Sequence, residues 1–289
     1  VARKDSIFAT TSRELQETLF LKHPFRLDAL GTEETLARIR RTDLETCFRR
    51  FLSPDNMVIA VFGDIDKSHI KQELEQRFGV LAPKDVRLRT VHEDMPVETR
   101  LRELDMPKEQ ALVMYGFQGP LIQGDERYAM EVAVNVLSSS LGGRMFKRIR
   151  EELGKAYALS GGFTPGVDAG MTVFYVLTTN ENVPKVRSLL EEELQKMAAE
   201  PVSDQELSDA KAYLKSTEAM GLEKVSSQAA VSALDELLGL GYRDYQAYNE
   251  KIDAVTPERV REVVRHYLDV GHGAVVVTRS LLKDSGAKN

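Results

Sequence analysis

The sequence predicts an α+β fold in which helices cover a mixed or antiparallel β-sheet. Short apolar runs closed by glycine or by polar turns indicate buried strands. Amphipathic stretches that open with capping-box patterns indicate the helices between them. One stretch of sequence also echoes an earlier one, which predicts a repeated domain with a partial preceding copy.

The first third of the chain is predicted to be mainly helical, with one strand. Ser12 is the expected N-cap of the first helix, and a capping-box pattern at Thr42–Glu45 opens a later one. Met57–Gly63 (MVIAVFG) is a continuous apolar run closed by glycine, which is typical of a buried strand. The predicted elements are, in order, helices over 12–23 and 33–39, a helix beginning at Thr42, a strand over 57–63, a helix over 67–78 and a linker over 82–98.

The remainder alternates apolar strands with helices. Met130, Val134, Leu137 and Leu141 recur at helical spacing, and Ser203–Glu206 forms a second capping box. The predicted strands are 99–104, 111–117, 156–163, 171–179 and 273–278. The predicted helices are 125–141, 144–153, 183–197, one opened by Ser203, 223–238, 245–252 and one capped by Thr256 with Pro257 in its first turn.

Composition excludes several classes of protein. Of 289 residues, 42% are hydrophobic and 29% charged, which excludes wholesale disorder and suits about two domains. The single cysteine, Cys47, excludes a disulfide framework and a zinc site made of cysteines alone. The net charge of −6 argues against nucleic acid as a partner. No apolar run reaches the roughly 20 residues that cross a bilayer, so we expect a soluble protein. Cytoplasm and periplasm both stay open as its compartment.

The internal echo aligns Glu34–Val61 with Glu250–Val277 at an offset of 216 residues without a gap. Apolar positions agree across helix, turn and strand, although identities are few and chance agreement between amphipathic helices is the alternative. A true repeat of this length is a whole domain. We therefore predict the tail of a first domain over 1–83, a linker and lead-in strand over 84–105, and a second, nearly complete domain over 106–289, in a chain that is a piece of something longer.

The sequence offers no clear metal site. None of its five histidines has a second histidine four residues away, the spacing that places two imidazoles on one helical face. His69 with Glu73, and His92 with its acidic neighbours Glu93 and Asp94, are best interpreted as surface residues. We therefore predict that this chain binds no metal.

Nucleophile and phosphate-loop motifs are likewise missing from the sequence. Ser138–Ser140 before Gly142 could present backbone N–H groups to an anion, but such a string more often forms a helix-ending loop. Cys47, between Leu44 and Phe48, is interpreted as inert packing.

Arg150 and Tyr157 form a candidate substrate-contact pair. Arg150 has no acidic residue at its i±3 and i±4 positions, and Tyr157 begins a strand seven residues later, beyond Gly154. A helix end and a strand start that flank one tight turn can direct both side chains to one point. A guanidinium and a phenol hydroxyl together can hold a peptide carbonyl and stabilise negative charge on it. The alternative is a surface arginine and a tyrosine at the edge of the core.

Around this pair, the sequence resembles the pitrilysin/insulinase family of zinc metallopeptidases, which includes the mitochondrial processing peptidases. Ser138–Phe163 looks like the C-terminal family motif, in which an S-R-L-F-like stretch leads into R-E-x-x-G-x-x-Y. Gly143 and Met145 replace the serine and leucine of that stretch. The other similar stretches are Leu19–Leu44, Leu52–Asp66, Val202–Leu214 and Ile252–Leu268.

The resemblance implies α+β domains of one fold, paired into halves that enclose a chamber. Family members hold zinc with an inverted His-x-x-Glu-His helix and a downstream glutamate. This chain has no such motif, so zinc is expected in a missing or partner catalytic domain. By resemblance, Arg150 would orient the peptide, and the Tyr157 hydroxyl would help stabilise the tetrahedral intermediate formed by zinc-activated water.

These implications describe the non-catalytic C-terminal portion of a zinc metallopeptidase. Such a chain would contribute chamber wall and substrate contacts to peptide hydrolysis, would be inactive alone, and would have a catalytic half and a peptide substrate as partners. One alternative is a structural core-type subunit of the same fold without a peptidase role. Another is a free-standing peptide-binding module.

Overall fold

The computed structural model of the protein describes residues 5–86, 89–139, 142–153 and 158–281, without the side chains of 150–153. Its strands are β1 (Arg100–Met106), β2 (Ala111–Gly119), β3 (Ala158–Thr164), β4 (Gly170–Thr178) and β5 (Ala274–Ser280). Its longer helices are α1 (Ile7–Leu19), α2 (Glu33–Arg38), α3 (Arg41–Phe51), α4 (Lys67–Phe78), α5 (Glu126–Ser138), α6 (Arg144–Leu153), α7 (Val183–Ala199), α8 (Asp204–Gly221), α9 (Val225–Leu237), α10 (Tyr248–Asp253) and α11 (Pro257–Tyr267).

The five strands form one mixed sheet in the order β1-β5-β2-β4-β3. β5 pairs in parallel with β1, in the register Arg100↔Ala274, and antiparallel with β2. The other neighbours are antiparallel, as in Ala111↔Thr178. β2 is buried along its whole length, as expected for a continuous apolar run with neighbours on both sides. This confirms the predicted mixed sheet covered by helices.

The chain divides into two compact units. Unit 1 contains residues 1–28, 91–214 and 251–289 and holds the whole sheet, and unit 2 contains residues 29–90 and 215–250. The domain limits predicted from the echo concern which residues repeat one another, which a division by contacts does not test, so they stay a prediction. In the described part of the chain, no helix combines the length and apolar character needed to cross a bilayer.

Both faces of the sheet in unit 1 are covered by helices. Leu15 of α1 packs in one cluster with Leu112 and Met114 of β2. Tyr115, which points to the opposite face, donates a 2.5 Å hydrogen bond from its hydroxyl to Glu191 of α7. α5 and α7 also contact α11, and α5 contacts β3. The sheet is therefore a buried central layer.

The first helix differs from its prediction. It begins at Ile7, with the Ser6 hydroxyl accepting from the N–H of Ala9 at 3.3 Å, and it ends at Leu19. Ser12 is therefore an interior residue, and its predicted role as N-cap is wrong. The hydroxyls of Thr11 and Thr18 donate to carbonyls four residues earlier, which satisfies these polar groups where the helix is buried.

The strand predicted over Met57–Gly63 is also wrong for this structure, because the segment forms no strand. Ile59, Val61 and Phe62 are exposed rather than buried. A strand requires a neighbour for its backbone hydrogen bonds, and none of the five strands found in the described residues pairs with this segment.

Candidate functional site

A groove in unit 1 lies where α5 ends, beside α6, β3 and α8. It consists of two cavities of about 290 and 280 Å³ that share Asn135, Ser139 and Tyr213 in their walls. Ser160 and Gly161 of β3 line the first cavity. Lys147 of α6 and Glu206 of α8 are among the residues that line the second. Hydroxyl, amide and charged groups are therefore all present in the walls of the groove.

Two glycines allow the elements around the groove to approach closely. A Cβ atom on Gly161 of β3 would lie 2.6 Å from the Ser138 hydroxyl and 2.5 Å from the Phe174 ring. A Cβ atom on Gly143 would lie 2.5 Å from the backbone nitrogen of Ser139. The glycine that replaces the serine of the family motif is thus required by the turn that connects α5 to α6.

That turn uses its own N–H groups. Ser139 donates to the Asn135 carbonyl at 2.9 Å, and Gly143 donates to the Ser139 carbonyl at 2.8 Å. Gly142 donates to the same carbonyl at 3.3 Å. These bonds favour the helix-ending loop over an anion site at Ser138–Ser140, in which Ser140 lies outside the described residues.

An arginine–carboxylate pair joins α6 to α8 next to the groove. Nε and Nη2 of Arg144 donate to the two carboxylate oxygens of Glu206 at 2.6 and 2.8 Å. Glu206 also accepts from the N–H and hydroxyl of Ser203, whose hydroxyl accepts from the Glu206 N–H, so the second predicted capping box is confirmed. The start of α6 is thereby held against the start of α8.

The pair also shifts the proton affinity of both groups. Hydrogen bonds from Arg144 lower the pKa of Glu206 to about 2, against an opposing effect of burial. The hydrogen bond to Glu206 raises the pKa of Arg144. Both groups are therefore charged at neutral pH, which is the state that a bidentate ion pair requires.

The two residues of the predicted substrate-contact pair, Arg150 and Tyr157, lie close in sequence to residues that line the groove. Arg150 belongs to α6, three residues before its last residue, Leu153. Its side chain lies outside the described part, as does Tyr157, which directly precedes Ala158, the first residue of β3. The convergence of the two side chains therefore stays a prediction.

Within the described residues, no group of three or more His, Cys, Asp or Glu side chains could hold a metal ion. The carboxylate of Glu93, considered with His92 above, instead accepts the backbone N–H groups of Leu21, Lys22 and His23 at 2.6–2.9 Å. Burial raises the pKa of Glu93, but these N–H donors lower it further than burial raises it. This carboxylate therefore has a structural role at the end of α1.

His23 is also committed to structure. Its Nδ1 accepts from the Phe25 N–H at 3.1 Å, so Nε2 carries the proton and donates to Asp168 at 3.0 Å. Asp168 also accepts from the Val91 N–H at 3.1 Å. These bonds attach three separate parts of unit 1 to one another.

Sequence reasoning missed the Arg144–Glu206 pair and the place of Tyr213 in the groove. The capping box identified Glu206 as a helix-start residue, but a contact over 62 residues leaves no trace in local spacing. Tyr213 occupies an ordinary position within α8. Neither Glu206 nor Tyr213 belongs to a sequence pattern that indicates more than a position in α8.

Comparison with known proteins gives a consistent result. The sequence model of a family described as "Peptidase M16 inactive domain" matches residues 38–214. An uncharacterized zinc protease of Bacillus subtilis is 26% identical over 266 residues, covering 92% of this chain and 64% of that protein. One from Mycobacterium tuberculosis is 26% identical over 262 residues, covering 90% and 60%. The chain thus spans about three fifths of these relatives.

Solved structures share the fold. A peptidase M16 inactive domain from Pseudomonas fluorescens superposes with a TM-score of 0.88 at 18% identity, over 99% of this chain and 68% of that chain. A chain of complex III2 from Candida albicans gives 0.85 at 17% identity, over 98% and 70%. A protease from Helicobacter pylori gives 0.84 at 15% identity, over 96% and 67%.

Proposed function

The chain belongs to the peptidase M16 family, and on this premise we propose that it is the non-catalytic C-terminal portion of a zinc metallopeptidase. In this proposal it contributes chamber wall and substrate contacts to peptide hydrolysis. The observation that carries it is the match to the inactive domain over residues 38–214, which include every residue that lines the groove.

Peptide contact is the chemistry that this groove and its borders suit. Asn135, Ser139 and Ser160 offer hydrogen-bonding groups for a peptide backbone along the groove. Arg150 would orient the peptide through its carbonyl, and the Tyr157 hydroxyl would donate to that oxygen as negative charge develops on it. The two positions are seven residues apart in the sequence.

Zinc would be bound by a different part of the full-length protein or by a partner catalytic half, because the described residues provide no ligand cluster. When bound there, the metal would supply the activated water. This chain alone would then hydrolyse no peptide. Relatives longer than this chain support the presence of such a second part.

A structural role in a larger assembly is the second candidate. It is favoured by the similarity to a chain of complex III2 from Candida albicans, which has the same fold over nearly the whole of this chain. A subunit of this kind would keep the packing of unit 1 without needing either Arg150 or Tyr157.

The Tyr157 hydroxyl distinguishes the two candidates. In the protein combined with its catalytic half, Tyr157→Phe is expected to lower kcat/KM for peptide hydrolysis about 10–1000-fold, the range for losing one donor to a developing oxyanion. Tyr242→Phe, which alters an exposed tyrosine of unit 2, serves as the control and should leave the rate unchanged. An unchanged rate in Tyr157→Phe would favour the structural role.

A further inference from the structure

Two arginines one turn apart on α6 are bound by carboxylates from two different helices. Arg144 donates to both carboxylate oxygens of Glu206 on α8, at 2.6 and 2.8 Å. Nη2 of Arg148 donates to Glu192 on α7 at 3.3 Å. The other carboxylate oxygen of Glu192 accepts from the Ser188 hydroxyl at 2.7 Å, so this carboxylate is itself held in place. The pairs Arg144–Glu206 and Arg148–Glu192 are called the α6 clamp below.

The clamp restrains α6 in a way that burial does not. Met145 and Ile149, which directly follow the two arginines, are each 1% exposed, and α6 contacts α5 and α7. The buried side of the helix therefore lies about 100° around its axis from the clamped side. Hydrophobic burial is non-directional, whereas a hydrogen bond depends on distance and angle. The clamp thus adds a restraint on the rotation of α6 about its axis and on its shift along that axis.

Arg150 lies directly beyond the clamp on the same helix. It follows Arg148 by two residues, which is about 3 Å along the helix axis. Over so short a distance a helix moves as one rigid element. A rotation or shift of α6 therefore displaces the backbone of Arg150 by the same movement.

Most of the clamp lies behind the groove rather than in its walls. Arg144, Arg148 and Glu192 are not among the described residues that line the groove, whereas Glu206 is. The Arg144 side chain is 15% exposed, and its guanidinium is occupied by Glu206. Arg144 is thus placed to hold an element of the groove and not to contact a peptide within it.

We propose that Arg144, together with the rest of the α6 clamp, is a positioning residue for peptide hydrolysis and holds α6 so that Arg150 meets the peptide carbonyl. This role rests on the proposed function, because it is exerted through Arg150. Precise placement matters for the rate, since a misplacement of about 1 Å caused by a distant change can cost about 100-fold.

A clamp that only stabilised the fold would behave differently. The loss of kcat/KM on removing Arg144 would then be the same whatever residue occupied position 150. A positioning residue instead loses its effect when the group that it positions is absent. A double-mutant cycle between positions 144 and 150 therefore separates the two roles.

The cycle is measured as kcat/KM for peptide hydrolysis by this chain combined with its catalytic half. Arg144→Gln is expected to lower kcat/KM about 5–100-fold, and Arg150→Ala at least as much. Both variants should divide the loss between kcat and KM in the same way, because both affect the same contact. In the Arg150→Ala background, Arg144→Gln should change kcat/KM less than about 2-fold.

Milder variants keep the test independent of folding. Arg144→Lys retains the positive charge but not the planar fork of the guanidinium, so its loss should be smaller than that of Arg144→Gln and should also vanish in the Arg150→Ala background. Glu192→Ala removes the second pair of the clamp, in which the Glu192 side chain is 50% exposed. Because exposed ion pairs contribute little to stability, this variant should leave the Tm nearly unchanged and lower kcat/KM about 2–5-fold, again only when Arg150 is present.

Arg279→Gln is the matched control. Arg279 binds Glu103 at 3.0 Å between β5 and β1, at the edge of the sheet opposite to β3. This variant also loses an arginine–carboxylate pair, and it should leave kcat/KM unchanged with and without Arg150.

The outcomes distinguish the positioning role from the proposed function. An unchanged kcat/KM in Arg144→Gln, or an equal loss in the two backgrounds, would overturn the positioning role and leave the proposed function standing. A loss in Arg279→Gln as large as that in Arg144→Gln would overturn it as well. A wild-type rate in Arg150→Ala would refute the peptide contact proposed for Arg150, and the positioning role with it.

Discussion

At the scale of single residues, the ion pair of Arg144 and Glu206 fixes one border of the groove. Its two short hydrogen bonds match the planar guanidinium to the planar carboxylate, and Glu206 at the same time caps α8 through Ser203. The sequence predicted the cap from spacing within four residues. The sequence could not predict that Arg144 pairs with Glu206, because this contact results from the packing of α6 against its neighbours.

Glu206→Gln is expected to destabilise the protein by about 1–2 kcal/mol at pH 7, since it removes a charge-assisted pair that is partly exposed to solvent. The folded-state pKa of Glu206 is depressed to about 2 from 4.5, so its stabilising contribution is complete above 4.5 and is lost as the pH falls from there towards 2. Denaturation curves at several pH values should show the difference between the wild type and Glu206→Gln disappearing over this window. Glu181→Gln, at an exposed glutamate of the same unit, should show no such convergence.

Gly143 gives a second prediction at this scale. Gly143→Ser restores the serine of the family motif but places a Cβ atom 2.5 Å from the Ser139 nitrogen. We expect a loss of about 1–3 kcal/mol of stability, as for other forced overlaps. Gly162→Ser on β3 is the control, because a Cβ atom there meets nothing within 4 Å. Equal Tm values for the two variants would contradict the close approach.

At the scale of secondary-structure elements, local sequence patterns predicted the elements whose contacting residues are near in sequence or whose ends carry a capping residue. α4 and α6 have the bounds that periodicity predicted, and Thr256 caps α11 as expected. The first helix was displaced because Ser12 resembles a cap, whereas Ser6 performs that role. Met57–Gly63 has the composition of a buried strand, but composition does not supply the neighbours that make one.

The packing of α1 on the sheet gives a testable prediction at this scale, because the helix contacts the sheet through a few large side chains. Leu15 is fully buried, and its side chain lies 3.0 Å from where a Cβ atom of Gly116 would be. Leu15→Ala is expected to cost about 2–5 kcal/mol of unfolding free energy, measured by urea denaturation. Leu21→Ala, at an exposed leucine just beyond the helix, should cost well under 1 kcal/mol. A similar loss in both variants would mean that α1 does not hold to the sheet as described.

At the scale of the whole molecule, the family and the fold were accessible from the sequence because motif order and spacing extend over most of the chain. The match to the inactive domain confirms this resemblance. The groove was not accessible, because it depends on α5, β3 and α8 meeting at Asn135, Ser160 and Tyr213. What the sequence did identify there, Arg150 and Tyr157, remains a prediction.

The purified chain 1–289 is expected to contain well below one zinc per chain after dialysis against zinc-containing buffer, since its described residues offer no ligand cluster. Elemental analysis by plasma mass spectrometry measures this directly, and the same preparation should cleave no fluorogenic peptide. One tightly held zinc per chain would contradict the assignment of metal binding to another part of the protein.

The position of β5 has a consequence for biosynthesis. Of the five strands in the described residues, β5 comes last in the sequence, yet it lies between β1 and β2, and its partner in β1 precedes it by 174 residues, as Arg100 and Ala274 show. Without β5, the sheet would consist of an isolated β1 and a three-stranded part in the order β2-β4-β3, in which one edge of β2 is unpaired. A premature stop codon before Ala274 would therefore leave β1 and β2 with unpaired edges rather than a slightly smaller sheet.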